Sequence, residues 1–174
     1  MRAPSTAFAI LRWTKMRIKG VLDEDFVNYK LPAMVISSCT CSFKCEKESG
    51  IDCCQNGNLV HSETLNVPDG YLIERYQSNP ITKAIVIGGL EPFDQWEELY
   101  GFISRLRVDY GCGDDVVIYT GYNRDEIEGE ILMLCGFDNI VVKFGRFIPG
   151  CEPHDDKVLG VKLASDNQYA ERIS

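Results

Sequence analysis

The run Lys83-Ala-Ile-Val-Ile-Gly-Gly-Leu-Glu-Pro92 organises the rest of the chain around itself. Its first seven residues are nearly all apolar, as expected of a strand buried on both faces. A helix should follow: Asp94 and Glu97 resemble a capping pair, and Trp96, Leu99, Tyr100, Ile103 and Leu106 recur at helical spacing. Downstream, DVVIYTG (Asp115–Gly121) repeats the buried-strand pattern. Asn123 with Glu126 then caps a helix striped by Ile127, Ile131 and Leu134, and NIVVKF (Asn139–Phe144) gives another strand. Upstream, MRIKGVL (Met16–Leu22) and PAMVISS (Pro32–Ser38) read as strands from their β-branched and apolar content. Asn66 with Pro68 and Asp69 reads as the start of a helix reaching about Ser78, before Asn79-Pro80. Apolar runs alternating with striped helices indicate right-handed βαβ units on a parallel sheet. Ligands of such sheets bind at the C-terminal strand ends. Three motifs fall there: a group of cysteines after the second strand, Gly88-Gly89-Leu90-Glu91-Pro92 after the third, and Tyr119-Thr120-Gly121-Tyr122 closing the fourth.

The 174 residues, 45% of them hydrophobic, suit one domain with a real core, assigned to 16–174; residues 1–15 read as an extension, with Met16 an alternative start. A net charge of −8 argues against non-specific nucleic-acid binding and against an anionic-membrane anchor, both of which need basic patches. The longest uncharged stretch, Leu31–Phe43, has 13 residues, short of the ~20 apolar residues of a spanning helix.

Eight cysteines against two histidines is the unusual balance. The apolar stretch near the N-terminus, Ala7–Leu11, is too short for a secretory signal, so the expected compartment is the reducing cytoplasm with free thiols. Five cysteines, 39, 41, 45, 53 and 54, fall within 16 residues in a polar loop, where thiols gain little from burial. Cys112, Cys135 and Cys151 are scattered and read as packing residues; His61 and His154 have no partner pattern and read as surface. A zinc ribbon would need a second paired hook, which is missing. Zinc and simple burial stay open beside the preferred reading, an iron–sulfur cluster whose thiolates come from one loop. Three thiolates instead of four would leave one iron open to a ligand.

These motifs, taken in order, resemble the radical S-adenosylmethionine superfamily, and within it the activating proteins of anaerobic (class III) ribonucleotide reductases. Cys54-Gln55-Asn56 resembles the family's third cysteine with the polar residue and Asn that often follow it. Ile87-Gly88-Gly89-Leu90-Glu91-Pro92 resembles the Gly-Gly-Glu-Pro stretch, and Val117-Ile118-Tyr119-Thr120-Gly121-Tyr122 the strand ending Tyr-Thr-Gly-Tyr. Val142–Phe147 and Ala164-Ser165-Asp166-Asn167-Gln168 resemble the closing Asp-Gly-x-Phe and Gly-Ser-x-Asn-Gln segments. The resemblance runs from about Met16 to the C-terminus. Three departures stand out. Glu48 occupies the third site of the family's Cys-x3-Cys-x2-Cys motif, which implies an insertion over Glu46–Cys53; Leu90 interrupts the glycine stretch; Phe144 replaces an Asp.

The resemblance implies a truncated, TIM-like β/α barrel with a mostly parallel sheet of about five to six strands, since a full barrel needs ~250 residues. It implies a 4Fe–4S cluster on Cys41, Cys45 and Cys54, with Cys53 the rival third ligand and Cys39 an outside candidate. S-adenosylmethionine would be bound by Gly88, Gly89, Glu91, Tyr119, Thr120 and Asn167, with Ser165 beside Asn167, and its methionyl amino and carboxylate groups would chelate the open iron. One electron would then cleave its S–C5′ bond to a 5′-deoxyadenosyl radical, with the cofactors supplying the hard chemistry. An open barrel side would admit a loop of a large glycyl radical enzyme, the anaerobic reductase, with a flavodoxin- or ferredoxin-like protein as electron donor. The other readings are a stand-alone radical enzyme on a small molecule or peptide, and a non-catalytic zinc- or iron–sulfur-binding interaction module.

Overall fold

The computed structural model describes residues 15–174. Each expected strand is present: β1 (Lys15–Asp25), β2 (Ala33–Ser38), β4 (Ala84–Gly89), β5 (Asp115–Tyr119) and β6 (Ile140–Phe144). So are the three helices, α3 (Asp69–Ser78), α4 (Trp96–Val108) and α5 (Glu128–Leu134). Two short helices, α1 (Lys44–Ser49) and α2 (Gly57–Val60), punctuate the cysteine loop. Strands β3 (Leu65–Pro68), β7 (His154–Asp156), β8 (Val161–Leu163) and β9 (Tyr169–Arg172) were not expected. β1 begins at Lys15, so that residue is part of the sheet; the rest of the expected N-terminal extension lies outside the described residues.

The fold differs from a truncated, mostly parallel TIM-like barrel. A seven-stranded mixed sheet runs β3-β1-β2-β4-β5-β6-β9, beside a separate antiparallel pair β7-β8. Only β2-β4, β4-β5 and β5-β6 are parallel; β1-β2, β1-β3 and β6-β9 are antiparallel. Chain length between strands explains the departure. Residues 26–32 join β1 to β2, too few for the dozen or so residues of a parallel crossover. The helix expected to reach Ser78 starts at Asp69 behind Pro68, and the residues just before it, Leu65-Asn66-Val67-Pro68, also pair with β1 as an unexpected edge strand.

Along the parallel strands, alternate residues serve opposite faces. Met34, Ile36, Ile85, Ile87, Val116, Ile118, Ile140 and Val142 pack with Leu72, Leu99, Phe102, Ile103 and Leu134 of α3–α5 in the larger core. Ala33, Ala84, Val86, Val117 and Val141 form the smaller core, covered by Tyr29 from the β1–β2 connection and by Leu159 and Leu163 around β7-β8. That cover ends partway up the sheet. At the C-terminal strand ends the second face carries Ser37, Gly88, Tyr119 and Lys143, and there it opens into a cavity. No helix among the described residues is long and apolar enough to cross a membrane.

Candidate metal centre

The cysteine loop leaves β2 at Ser38 and is pinned at once to the neighbouring strand ends. Cys39 N–H donates to Gln95 Oε1 at 2.8 Å, Glu91 N–H donates to Thr40 O at 2.7 Å, and Ser42 N–H donates to Asp94 Oδ2. Asp94 therefore holds the loop, and also accepts from the Tyr122 hydroxyl at 2.6 Å; it does not cap α4 as the sequence suggested. The cap is one turn earlier, where Glu91 accepts from Phe93 N–H at 3.1 Å at the start of a short 3-10 turn. The other expected pair is present: Asn123 N–H donates to Glu126 Oε2 at 2.8 Å.

The inserted residues form α1 and a return. Phe43 before α1 and Gly50 after it both have left-handed φ, 54° and 72°, so the chain turns sharply at each end. Arg146 reaches Glu48 of α1 at 3.2 Å and also pairs with Glu126; Lys44 lies 3.1 Å from Glu126 and over the Tyr122 ring. Arg146 holds Glu126 near pKa 2, mainly through its hydrogen bond. Glu46 accepts from Cys54 N–H at 3.3 Å, and Asn56 Nδ2 donates to Gly89 O at 2.7 Å. The insertion thus closes on itself and docks on the end of β4.

Cys41, Cys45, Cys53 and Cys54 all line one cavity of about 320 Å³, together with Gly88, Gly89, Glu91, Tyr119 and Thr120. Cys39 stands outside that lining. Burial pushes the Cys41 thiol up to about 11, even though Phe43 N–H donates to its Sγ at 3.3 Å. Cys45 is raised too, first by burial and then by Cys53 and Cys54. Burial thus keeps these thiols protonated, and a bound metal would have to displace the protons. Among the described residues no three Cys, His, Asp or Glu side chains converge on one point. An iron–sulfur cluster takes one thiolate per iron, and thiols spread around one cavity fit it. Of the three scattered cysteines only Cys112 is buried; Cys135 is exposed and Cys151 half-buried, so packing accounts for one of them. His61 is exposed, and His154 sits half-buried in β7.

Both glycines at the end of β4 are required by close approach. A Cβ on Gly88 would lie 3.1 Å from Tyr119 Cβ. Gly89 has φ 81°, and its Cβ would lie 3.0 Å from Ser37 Cβ and 3.1 Å from Leu59 Cδ1. Glu91 is buried and accepts from Thr120 Oγ1 at 2.7 Å, Gly121 N–H at 2.8 Å and Phe93 N–H. Burial lifts its carboxyl to about 7, against the lowering effect of those donors. Glu91 and Thr120 together lock the β4 and β5 loops to each other. Tyr119 lines the cavity with its ring and donates from its hydroxyl to Asn28 O. Asn167 is placed differently from the other expected cofactor residues: its Nδ2 donates to Arg146 O at 2.8 Å, outside the lining, and Gln168 takes the position facing the cavity. Ser165 is buried, with its N–H donating to Gln168 Oε1.

Sequence reasoning missed Lys143. Side by side with Tyr119 in the sheet, it lines the cavity and is 7% exposed. Its Nζ donates to Gly145 O at 2.8 Å, and burial lowers its pKa to about 8, with Glu91 acting the other way. The available signal was one lysine in the otherwise apolar run NIVVKF, on the face opposite Val142.

Residues 33–164, roughly three quarters of the chain, match the family described as the 4Fe-4S single cluster domain. The match opens at the first residue of β2 and takes in every thiol of the loop. No curated protein and no solved structure matches the chain significantly.

Proposed function

The chain belongs to the 4Fe-4S single cluster domain family, and on that premise we propose that it is a radical S-adenosylmethionine activase. In this reading Cys41, Cys45 and Cys54 hold a 4Fe–4S cluster, and S-adenosylmethionine binds beside it. The observation that carries the reading is that these thiols, from the loop after β2, share one cavity with Gly88, Gly89 and Glu91 at the end of β4 and Thr120 at the end of β5. When bound, a cluster held by Cys41, Cys45 and Cys54 would supply one-electron reduction of S-adenosylmethionine, the chemistry that yields methionine and a 5′-deoxyadenosyl radical.

The chain's own residues have distinct tasks. Gly88 and Gly89 let Tyr119, Ser37 and Leu59 close in on the end of β4 and so shape the cavity in which the methionyl group would lie. Glu91, through Thr120 and Gly121, fixes the spacing of the two loops that flank that group. The Tyr119 ring and the second sheet face form one wall of the cavity, and a docked partner would have to close the rest to protect a reactive radical from quenching. The substrate side is the glycine loop of a large glycyl radical enzyme, with anaerobic ribonucleotide reductase the favoured partner. A flavodoxin- or ferredoxin-like protein donates the electron, and the setting is the cytoplasm. The net charge of −8 accords with a protein partner and not with nucleic acid.

A second reading, a stand-alone radical enzyme, is favoured by Lys143 alone: a buried ammonium in the cavity suits a small substrate carrying a carboxylate. Anaerobic reconstitution tests both. Both expect an iron- and sulfide-bearing protein that forms 5′-deoxyadenosine under dithionite; tight stoichiometric zinc with no cleavage would overturn both. A glycyl radical signal by electron paramagnetic resonance, on mixing with the reductase, separates the first from the second.

A further inference from the structure

The inserted segment brings one more thiol to the cavity than a cofactor-binding cluster uses. Four irons take four thiolates when the protein supplies every ligand, and Cys41, Cys45, Cys53 and Cys54 line the same cavity. α1 and the left-handed turn at Gly50 fold the chain back so that Cys53 and Cys54 line the same cavity as Cys45. The two differ in tethering. Cys54 is held by its N–H on Glu46 and by the Asn56 bond to Gly89 O two residues on. The Cys53 thiol instead lies 3.3 Å from the exposed hydroxyl of Ser49 at the end of α1, hydrogen-bonded to it. One thiol is anchored to the strand end, and its neighbour has an alternative polar partner away from it.

We propose that Cys53 is the fourth cluster ligand in the resting protein and gives way when S-adenosylmethionine arrives. This rests on the reading that the cavity holds the cluster and admits that cofactor. The exchange is a ligand substitution with no electron moved. The iron–thiolate bond of Cys53 breaks and the cofactor's amino and carboxylate groups take the vacated iron. The freed thiolate takes up the proton that the cofactor's ammonium group gives up on binding iron, and turns to Ser49. The device shields the open iron from oxidants and water until the cofactor is present.

The test uses the full chain loaded anaerobically with cluster. It is treated with iodoacetamide with and without S-adenosylmethionine, and the modified cysteine is located by mass spectrometry. Cys53 is expected to be protected without the cofactor and to label at least about tenfold faster with it, since access to the thiolate controls the rate. A second measurement reads iron loss: after mild oxidation without the cofactor, Cys53→Ala gives the three-iron resonance signal, and the parent chain and Cys39→Ala keep four irons. Free labelling of Cys53 in the loaded chain without cofactor overturns the proposal, as does equal iron loss from the parent chain and Cys53→Ala. Protection that persists with the cofactor, in a chain that still forms 5′-deoxyadenosine under dithionite, overturns the release alone; persistent protection with no 5′-deoxyadenosine overturns the cofactor reading as well. Failure of the parent chain to assemble any four-iron cluster overturns the cluster reading itself.

Discussion

The two faces of the central sheet use the same four parallel strands for opposite ends. On the helix side, Ile36, Ile85, Ile87, Ile118 and Val142 are fully buried among α3–α5, and apolar packing continues to the strand ends with Phe144. On the other side the same strands begin with Ala33, Ala84, Val117 and Val141 under Tyr29 and Leu159, then change to Ser37, Gly88, Tyr119 and Lys143 where the cavity begins. The first face is optimised for burial from end to end. The second gives up packing at its top to hold glycines in close contact, a buried carboxylate and a buried amine. Neighbouring residues thus divide the labour: Val142 supports the fold, and Lys143 belongs to the site.

The comparison breaks most visibly on the helix side. Ile87→Ala removes a fully buried side chain between sheet and helices and should cost about 2–5 kcal/mol, measured by denaturant unfolding. Two positions away in the parallel register, Gly89→Ala should cost about 1–3 kcal/mol, because it places a side chain at φ 81° against Ser37 and Leu59. Its larger effect should be on the site: iron content and S-adenosylmethionine affinity fall, whereas Ile87→Ala leaves both unchanged in whatever fraction stays folded.

These two faces were unequally legible in the sequence. Runs such as KAIVIGG and DVVIYTG are apolar at every position, so strand identity and order were readable, as was the placing of the motifs at the C-terminal ends. Direction was not read for β1, although the seven residues before β2 already excluded a crossover. The late strands His154-Asp-Asp156, Val161-Lys-Leu163 and Tyr169-Ala-Glu-Arg172 carry little hydrophobic pattern, because tertiary bonds set them. Buried Asp156 accepts from Val158 N–H and Leu159 N–H at 2.9 and 2.8 Å, and from Ala170 N–H at 2.9 Å, tying the turn after β7 to β9. In the candidate site, the thiol loop was readable from its spacing, and the glycine pair and Glu91 from their place at the end of an apolar strand and from the family resemblance. Lys143 was not, because a single lysine in a strand normally marks a solvent face, and only the fold shows that this position faces a cavity.

The buried carboxylate sharpens the contrast by its pH dependence. Glu91 titrates at about 7 in the folded chain, above its ordinary 4.5, so the folded state binds the proton more tightly. Its contribution to stability is therefore full below pH 4.5 and lost as the pH rises to 7. Glu91→Gln should flatten that slope in thermal melts across pH 4.5–7. The variant also turns an amide towards Gly121 N–H, and the unmet bond should cost about 1–3 kcal/mol at pH 5. A slope unchanged by the substitution would assign the pH dependence to other groups.

Lys143 supplies the smallest effect and the one of opposite sign. Its ammonium is buried with Gly145 O as its one hydrogen-bond acceptor among the described residues, while the Glu91 oxygens are engaged by Thr120, Gly121 and Phe93. Desolvating a charge on those terms opposes folding. The lowered pKa, about 8 against 10.5 unfolded, says the same: between those values the unfolded chain binds more protons, so stability rises with pH through that window. Lys143→Met should therefore raise the melting temperature at pH 7 by a few degrees, about 1 kcal/mol for a domain of this size. The gain should shrink towards zero as the pH approaches 10.5. Val142→Ala, one residue away on the packed face, should lower the melting temperature at every pH. A Lys143→Met variant that melts below the parent at pH 7 would mean that the amine supports the fold, and the division between the two faces would fail at the position that states it most sharply.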